Sequence, residues 1–66
     1  MTLIEAQRRY IDRVNEAHPG HRRRVSRAAC NQLYSWAVAN GHTAVEARAI
    51  CRDARDIANL ELNAED

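Results

Sequence analysis

The sequence predicts an all-α protein of three helices. A helical hairpin or helix-turn-helix-like unit is preceded by an N-terminal helix, and the whole works as a dimer. Three observations lead there. Two boxes, Thr2-Leu3-Ile4-Glu5 and Thr43-Ala44-Val45-Glu46, carry the Thr-x-x-Glu pattern that opens helices. Apolar residues recur behind them at helical spacings of three, four and seven. The two glycines and the single proline fall between these stretches, where breaks are due.

The first helix spans about 3–17. Thr2 caps it by accepting from the backbone of Glu5, and Glu5 reaches back to Thr2. Its apolar stripe is Leu3, Ile4, Tyr10, Ile11, Val14 and Ala17, with Arg9, Asp12, Arg13 and Glu16 mainly opposite. Pro19 disfavours α geometry at His18, and Gly20 follows, so the helix stops there.

The second helix spans about 22–40. One stripe is Val25, Ala29, Leu33, Trp36 and Ala37; a second, Cys30, Tyr34 and Val38, widens it. Gly41 after Asn40 supplies the left-handed residue that ends a helix. The start is open between two readings. His21-Arg22-Arg23-Arg24 sets cations where the helix dipole prefers anions. Either Ser26 caps a shorter helix, or an anion or acidic partner sits at the arginines.

The third helix spans about 44–62. Ala47, Ile50, Cys51, Ala54, Ile57 and Ala58 form a regular stripe of mostly small residues that allows close approach of another helix. Leu60 and Leu62 extend it. Acids at Glu61, Glu65 and Asp66 oppose the dipole at a helix C-terminus, so this end is expected to fray. The short Asn40–Thr43 link makes the second and third helices neighbours.

Composition bounds the function. The 66 residues make one domain and hold 10 Arg, no Lys and 12 Ala, leaving 18 larger apolar side chains for a core. A chain of this size buries only about 60% of its unfolded surface, so a second copy is the simplest source of added stability. No apolar run approaches the roughly 20 residues of a membrane span. No leader pattern opens the chain, and two cysteines make no disulfide framework, which points to the reducing cytoplasm. A small chain with few loop glycines is not expected to be an enzyme.

Charge is polarised. Residues 1–27 hold 7 Arg and 3 acids; residues 28–66 hold 3 Arg and 6 acids. The basic centre, Arg22, Arg23, Arg24 and Arg27, suits phosphate or carboxylate, since arginine forks pair with both. It equally suits a solvated helix start that contacts the acidic third helix of the same or a partner chain.

A DNA-binding helix-turn-helix is the competing architecture. With Gly41 as its turn glycine, Ala37 and Ile50 occupy the small and buried positions, and Arg48, Arg52 and Arg55 become candidate base or phosphate readers. His42 and Ala47 depart from that pattern, and Glu46, Asp53 and Asp56 would repel phosphate. A pI near 7.9 also lacks the usual basic excess.

Metal and catalytic sites are not expected, and no cofactor is implied. His18, His21, Cys30, His42 and Cys51 are scattered without ligand spacing. Cys30 and Cys51 lie on apolar stripes as small hydrophobes. Ser26 and Ser35 have no supporting histidine and acid.

An interaction module remains. Tyr10, Arg22, Arg23, Arg24, Arg27, Arg48 and Arg52 are the candidate partner-binding residues, because edge aromatics and arginines anchor interfaces. Leu33, Tyr34, Trp36, Val38, Ile50, Ala54 and Ile57 are candidates for core or dimer interface.

The stretches Leu33-Tyr34-Ser35-Trp36-Ala37-Val38-Ala39-Asn40-Gly41-His42-Thr43 and Ala47-Arg48-Ala49-Ile50-Cys51-Arg52-Asp53-Ala54 resemble the helical hairpin of small accessory proteins from transposable phages, of the quorum-sensing anti-activator type. The resemblance rests on pattern, size and Arg/Ala usage over about half of the chain. It implies a homodimer that binds and inhibits a host regulatory protein. The alternative is a dimeric helix-turn-helix transcriptional regulator, and a third class is an RNA or polymerase accessory factor using Arg22–Arg27.

Overall fold

The Thr2 hydroxyl accepts the Glu5 backbone N–H at 3.2 Å, and α1 runs Leu3–Glu16 from that cap. The computed structural model describes residues 1–64. Only half of the expected box is built here. The Glu5 carboxylate accepts the Thr2 hydroxyl at 3.1 Å instead of the Thr2 backbone N–H. α1 buries Ala6, Tyr10, Ile11 and Val14. Leu3 and Ile4, expected on the inner stripe, are exposed, Ile4 at 77%. Both sit in the first turn, and Ala6 is the first position that the neighbouring helices cover.

Ala17 and His18 are extended, the geometry Pro19 imposes on the residue before it, so α1 ends one residue earlier than expected. A single 3-10 turn, Pro19–His21, follows. It is closed by the His21 N–H on the His18 carbonyl at 2.8 Å and by the Gly20 N–H on His18 Nδ1 at 3.1 Å.

α2, Arg22–Ala39, then starts without a side-chain cap and without an acid in its first turn. This removes the reading in which Ser26 caps a shorter helix. Ser26 lies inside α2, and its hydroxyl pairs with that of Tyr10 at 2.6 Å. α2 closes in a Schellman motif: the Gly41 N–H donates to the Val38 carbonyl at 3.1 Å, and the His42 N–H to the Ala37 carbonyl at 3.0 Å. Gly41 has φ +91°, a conformation glycine adopts freely.

α3, Ala44–Ala64, opens with the reciprocal box. The Thr43 N–H donates to Glu46 Oε1 at 2.8 Å, and the Glu46 N–H donates to Thr43 Oγ1 at 3.1 Å. α3 continues two residues past the expected end. Glu65 and Asp66, part of the end expected to fray, lie outside the described residues.

Side-chain contacts give the course of the helices. The Cys51 thiol donates to the Cys30 carbonyl at 3.5 Å. Cys30 lies nine residues before the end of α2 and Cys51 seven residues after the start of α3, roughly 14 Å and 10 Å along the two helices. An open helix-turn-helix corner would have splayed by that point, so α2 and α3 return alongside one another as a hairpin. On α1, Gln7 Nε2 donates to the Ile50 carbonyl at 3.2 Å and Asn15 Nδ2 to Glu61 at 3.0 Å, so α1 and α3 run the same way.

Each helix packs on the other two. Half of the twelve buried core residues are alanine (Ala6, Ala29, Ala37, Ala47, Ala54 and Ala58), which lets the axes approach toward the short end of the usual 8–10 Å. Leu33 from α2 and Ile50 from α3 add aliphatic bulk to this core, and Cys30, Tyr34, Trp36 and Leu62 pack against it. Val38 and Ile57, expected on the apolar stripes, are exposed at 47% and 39%. Among the described residues no helix is long and apolar enough to cross a membrane.

Candidate anion-binding cleft

On α2, residues 23, 27, 30, 31 and 34 share one helical face, and on α3 residues 48, 51, 52 and 55 share another. The hairpin sets these two faces side by side. Between them lies a cleft of about 430 Å³ lined by Arg23, Ser26, Arg27, Cys30, Asn31 and Tyr34 from α2, Arg48, Cys51, Arg52 and Arg55 from α3, and Tyr10 from α1. Five arginines therefore face one cavity, and no carboxylate is among its described lining residues. The carboxylate of Asp53 reaches Arg52 from outside the lining, at 3.6 Å with both groups exposed. Arg48, Ala49, Arg52, Arg55 and Val45 continue the basic surface onto the outer side of α3.

The lining is polar as well as cationic. Tyr10 and Ser26 share one hydroxyl proton between their two oxygens, so the pair has one further O–H to donate. The cysteines sit on opposite helices, Cys30 half-buried and Cys51 buried. Burial, and then the hydrogen bond and proximity to Cys30, push the Cys51 thiol up to about 12, with Arg55 acting the other way. The thiol is therefore protonated at neutral pH and is a packing group rather than a nucleophile.

Of the seven expected partner-binding residues, the fold brings Tyr10, Arg23, Arg27, Arg48 and Arg52 to this cleft. Tyr10 is a correction: it is not an edge aromatic but a core residue, 3% exposed, whose hydroxyl reaches the cleft. Arg22 and Arg24 fall outside the lining. Arg22 is half-buried, and its Nε has no hydrogen-bond partner among the described residues. Arg55 completes the set. Its signal in the sequence was the i, i+4, i+7 row it forms with Arg48 and Arg52.

Among the described residues the basic centre makes no ion pair with the third helix of its own chain. Among the described residues, none of Arg22, Arg23, Arg24 and Arg27 makes an ion pair; the arginine that does reach α3 is Arg8, which meets Glu61. The residues expected at a core or dimer interface divide. Leu33, Ile50 and Ala54 are buried in the single chain, Tyr34 and Trp36 are half-buried, and Val38 and Ile57 are exposed.

No protein-family model, curated protein or solved structure matches the chain. Among the described residues no group of three or more His, Cys, Asp or Glu gathers at metal-binding distance.

A second groove, of about 350 Å³, lies between α1 and α2 over Ala6, Ala29, Leu33 and Trp36, with Arg9, Asp12, Arg13 and Gln32 on its rim. Arg13 donates to Gln32 across it. Its charges are mixed in sign, and no run of like charge enters it.

Proposed function

We propose that the chain is a small helical interaction module that docks its arginine-lined α2–α3 face on an acidic surface of a partner protein and occludes it. One observation carries this reading: guanidinium groups from two helices are gathered on one face, with no lining carboxylate to neutralise them. Guanidinium is weakly hydrated and pairs bidentately with carboxylates, so such a face gains most when it meets fixed anions. The resemblance in the hairpin names the kind of partner, a host regulatory protein, with inhibition as the outcome.

The reading takes the module as a homodimer. Val38, Ile57 and Leu60 leave large apolar side chains on the surface, and an alanine-rich core of this size buries little apolar area. A single species of monomer mass by light scattering at micromolar concentration would remove the dimer from the proposal.

The second reading is a DNA-binding regulator. The row Arg48, Arg52 and Arg55 on α3 favours it; the hairpin return of α2 and α3 weighs against it, because an open corner is what lets a recognition helix enter the major groove. One experiment separates the two. The chain and its Arg27→Glu/Arg52→Glu variant are titrated with a glutamate-rich peptide and with duplex DNA across a salt series. Peptide binding that the variant loses supports the partner-protein reading. Tighter DNA binding, falling steeply with salt, transfers the function to the second reading.

A further inference from the structure

We propose that the α2–α3 cleft is also a site for a small ligand carrying two or three adjacent phosphate groups, and that this ligand competes with the acidic partner for the same arginines. The inference rests on the cleft that carries the partner reading and names a second class of ligand for the same lining.

Three observations support it. First, the cavity of about 430 Å³ lies within the roughly 300–1,000 Å³ range of small-ligand sites. Second, charge density decides between anions. In a chain of condensed phosphates each terminal group brings about −1.5 to −2 charges and an inner one about −1, so two or three of them carry roughly −3 to −5 charges against five guanidiniums, of which Arg52 already faces Asp53. Carboxylates bring one charge each and would need five separate side chains inside the same volume. Third, the lining offers donors around the cavity: the arginine forks of Arg27 and Arg52 from facing helices, and the spare hydroxyl proton of the Tyr10–Ser26 pair. No lining carboxylate among the described residues would repel phosphate. Tyr34, half-buried in the lining, supplies an aromatic side chain at which a base could stack if the phosphates belong to a nucleotide.

The test is isothermal titration of the full chain with sodium tripolyphosphate, ATP and sodium sulfate at matched ionic strength. Wild type is compared with Arg27→Gln, Arg52→Gln and the control Arg9→Gln, which lies outside the cleft. Circular dichroism of each variant reports that the helices are intact. All three arginines are exposed, so loss of fold is not expected.

The expected result is saturable binding of tripolyphosphate, weakened at least tenfold by either cleft substitution and unchanged by Arg9→Gln. Equal affinity for ATP and tripolyphosphate identifies a bare phosphate chain as sufficient. Tighter binding of ATP that Tyr34→Ala removes identifies a nucleotide. Both outcomes support the site. An equal response to sulfate, equal weakening by Arg9→Gln, or no binding at millimolar tripolyphosphate overturns it.

A competition arm keeps this inference separate from the partner reading. If the glutamate-rich peptide binds but tripolyphosphate neither binds nor displaces it, the ligand site is lost and the partner reading stands. If tripolyphosphate binds and the peptide does not, the reverse holds.

Discussion

Arg8 and Glu61 lie 53 positions apart in the chain and meet in a two-pronged ion pair, Nη1 at 2.6 Å from Oε2 and Nη2 at 2.9 Å from Oε1. The same guanidinium also reaches Asp12 through Nε at 2.9 Å, and Asn15 donates to the same Glu61 carboxylate. One arginine thus ties its own helix to the last turns of α3. Its hydrogen bonds to Glu61 and Asp12 push its own pKa upward. The Arg8 guanidinium, first, and then Asn15 hold the Glu61 carboxyl below its ordinary value of 4.5.

A pH dependence follows with a definite sign. A carboxyl whose pKa is lowered on folding contributes stability above its unfolded value, and that contribution is lost as pH falls through the lowered folded value. The Glu61 contribution is therefore full above about pH 4.5 and disappears below it. Glu46, held low by the Thr43 backbone N–H and hydroxyl, acts in the same window. Thermal melts between pH 3 and pH 7 should show stability falling at the acid end, with a shallower fall in Arg8→Met. Because the pair is exposed, 1 M salt should bring wild type toward the variant. An Arg8→Met profile parallel to wild type would show that the pair carries no net stability.

The Thr43–Glu46 box was legible because it rests on neighbours in sequence, and its two bonds are formed. Gly41 was legible for the same reason. Arg8–Glu61 was not, because it depends on α1 and α3 running the same way, a tertiary fact no local pattern encodes. Hydropathy favours Leu3 and Ile4 over Ala6 because it weighs a side chain, while burial depends on where neighbouring helices reach, and they reach Ala6. The cleft was half legible. Arg23, Arg27, Arg48 and Arg52 stood out by residue type, but that they face one cavity follows from the hairpin register. The exclusion of Arg22 and Arg24 follows from their rotation around α2.

The Schellman turn gives a test of backbone geometry alone. A Cβ built on Gly41 meets nothing within 4 Å, so substitution there encounters no clash. Its cost is the left-handed conformation, about 1–2 kcal/mol for an L-residue. Gly41→Ala should lower the melting midpoint by roughly 4–8 °C for each kcal/mol lost in a domain this small. Gly41→Asn should cost less, since asparagine tolerates that region. Equal midpoints for Gly41→Ala and wild type would mean that the connection relaxes out of the Schellman geometry.

The alanine core gives a test of packing. Ala54 is fully buried at 0% exposure, with Ala47 and Ala58 on the same stripe. Enlarging it forces the axes apart, and overpacking of a tight core costs about 1–3 kcal/mol. Ala54→Leu should lose stability on that scale in urea unfolding followed by the fluorescence of Trp36. Ala28→Leu, on the exposed side of α2, should stay within about 0.5 kcal/mol of wild type. A stabilised Ala54→Leu would mean that the helices do not meet at the close spacing their small residues allow.

The two cysteines give a test of the cleft that requires no ligand. Cys51 is buried, with a thiol pushed up to about 12 from its ordinary 9.0, while Cys30 is half-exposed beside it. The thiolate is the reactive form, so Cys51 should not react while the chain is folded. At pH 8 a disulfide reagent should titrate one thiol rapidly and the second only on unfolding. Cys30→Ser should abolish the rapid phase and Cys51→Ser should preserve it. A group whose pKa rises on folding contributes stability that is full below its unfolded value and is lost as pH climbs toward the folded one. Stability should therefore decline between pH 9 and pH 12, and less steeply in Cys51→Ala than in wild type. Rapid reaction of both thiols in the native state would mean that α2 and α3 part on the timescale of labelling, and the cleft between them would then be a transient rather than a built cavity.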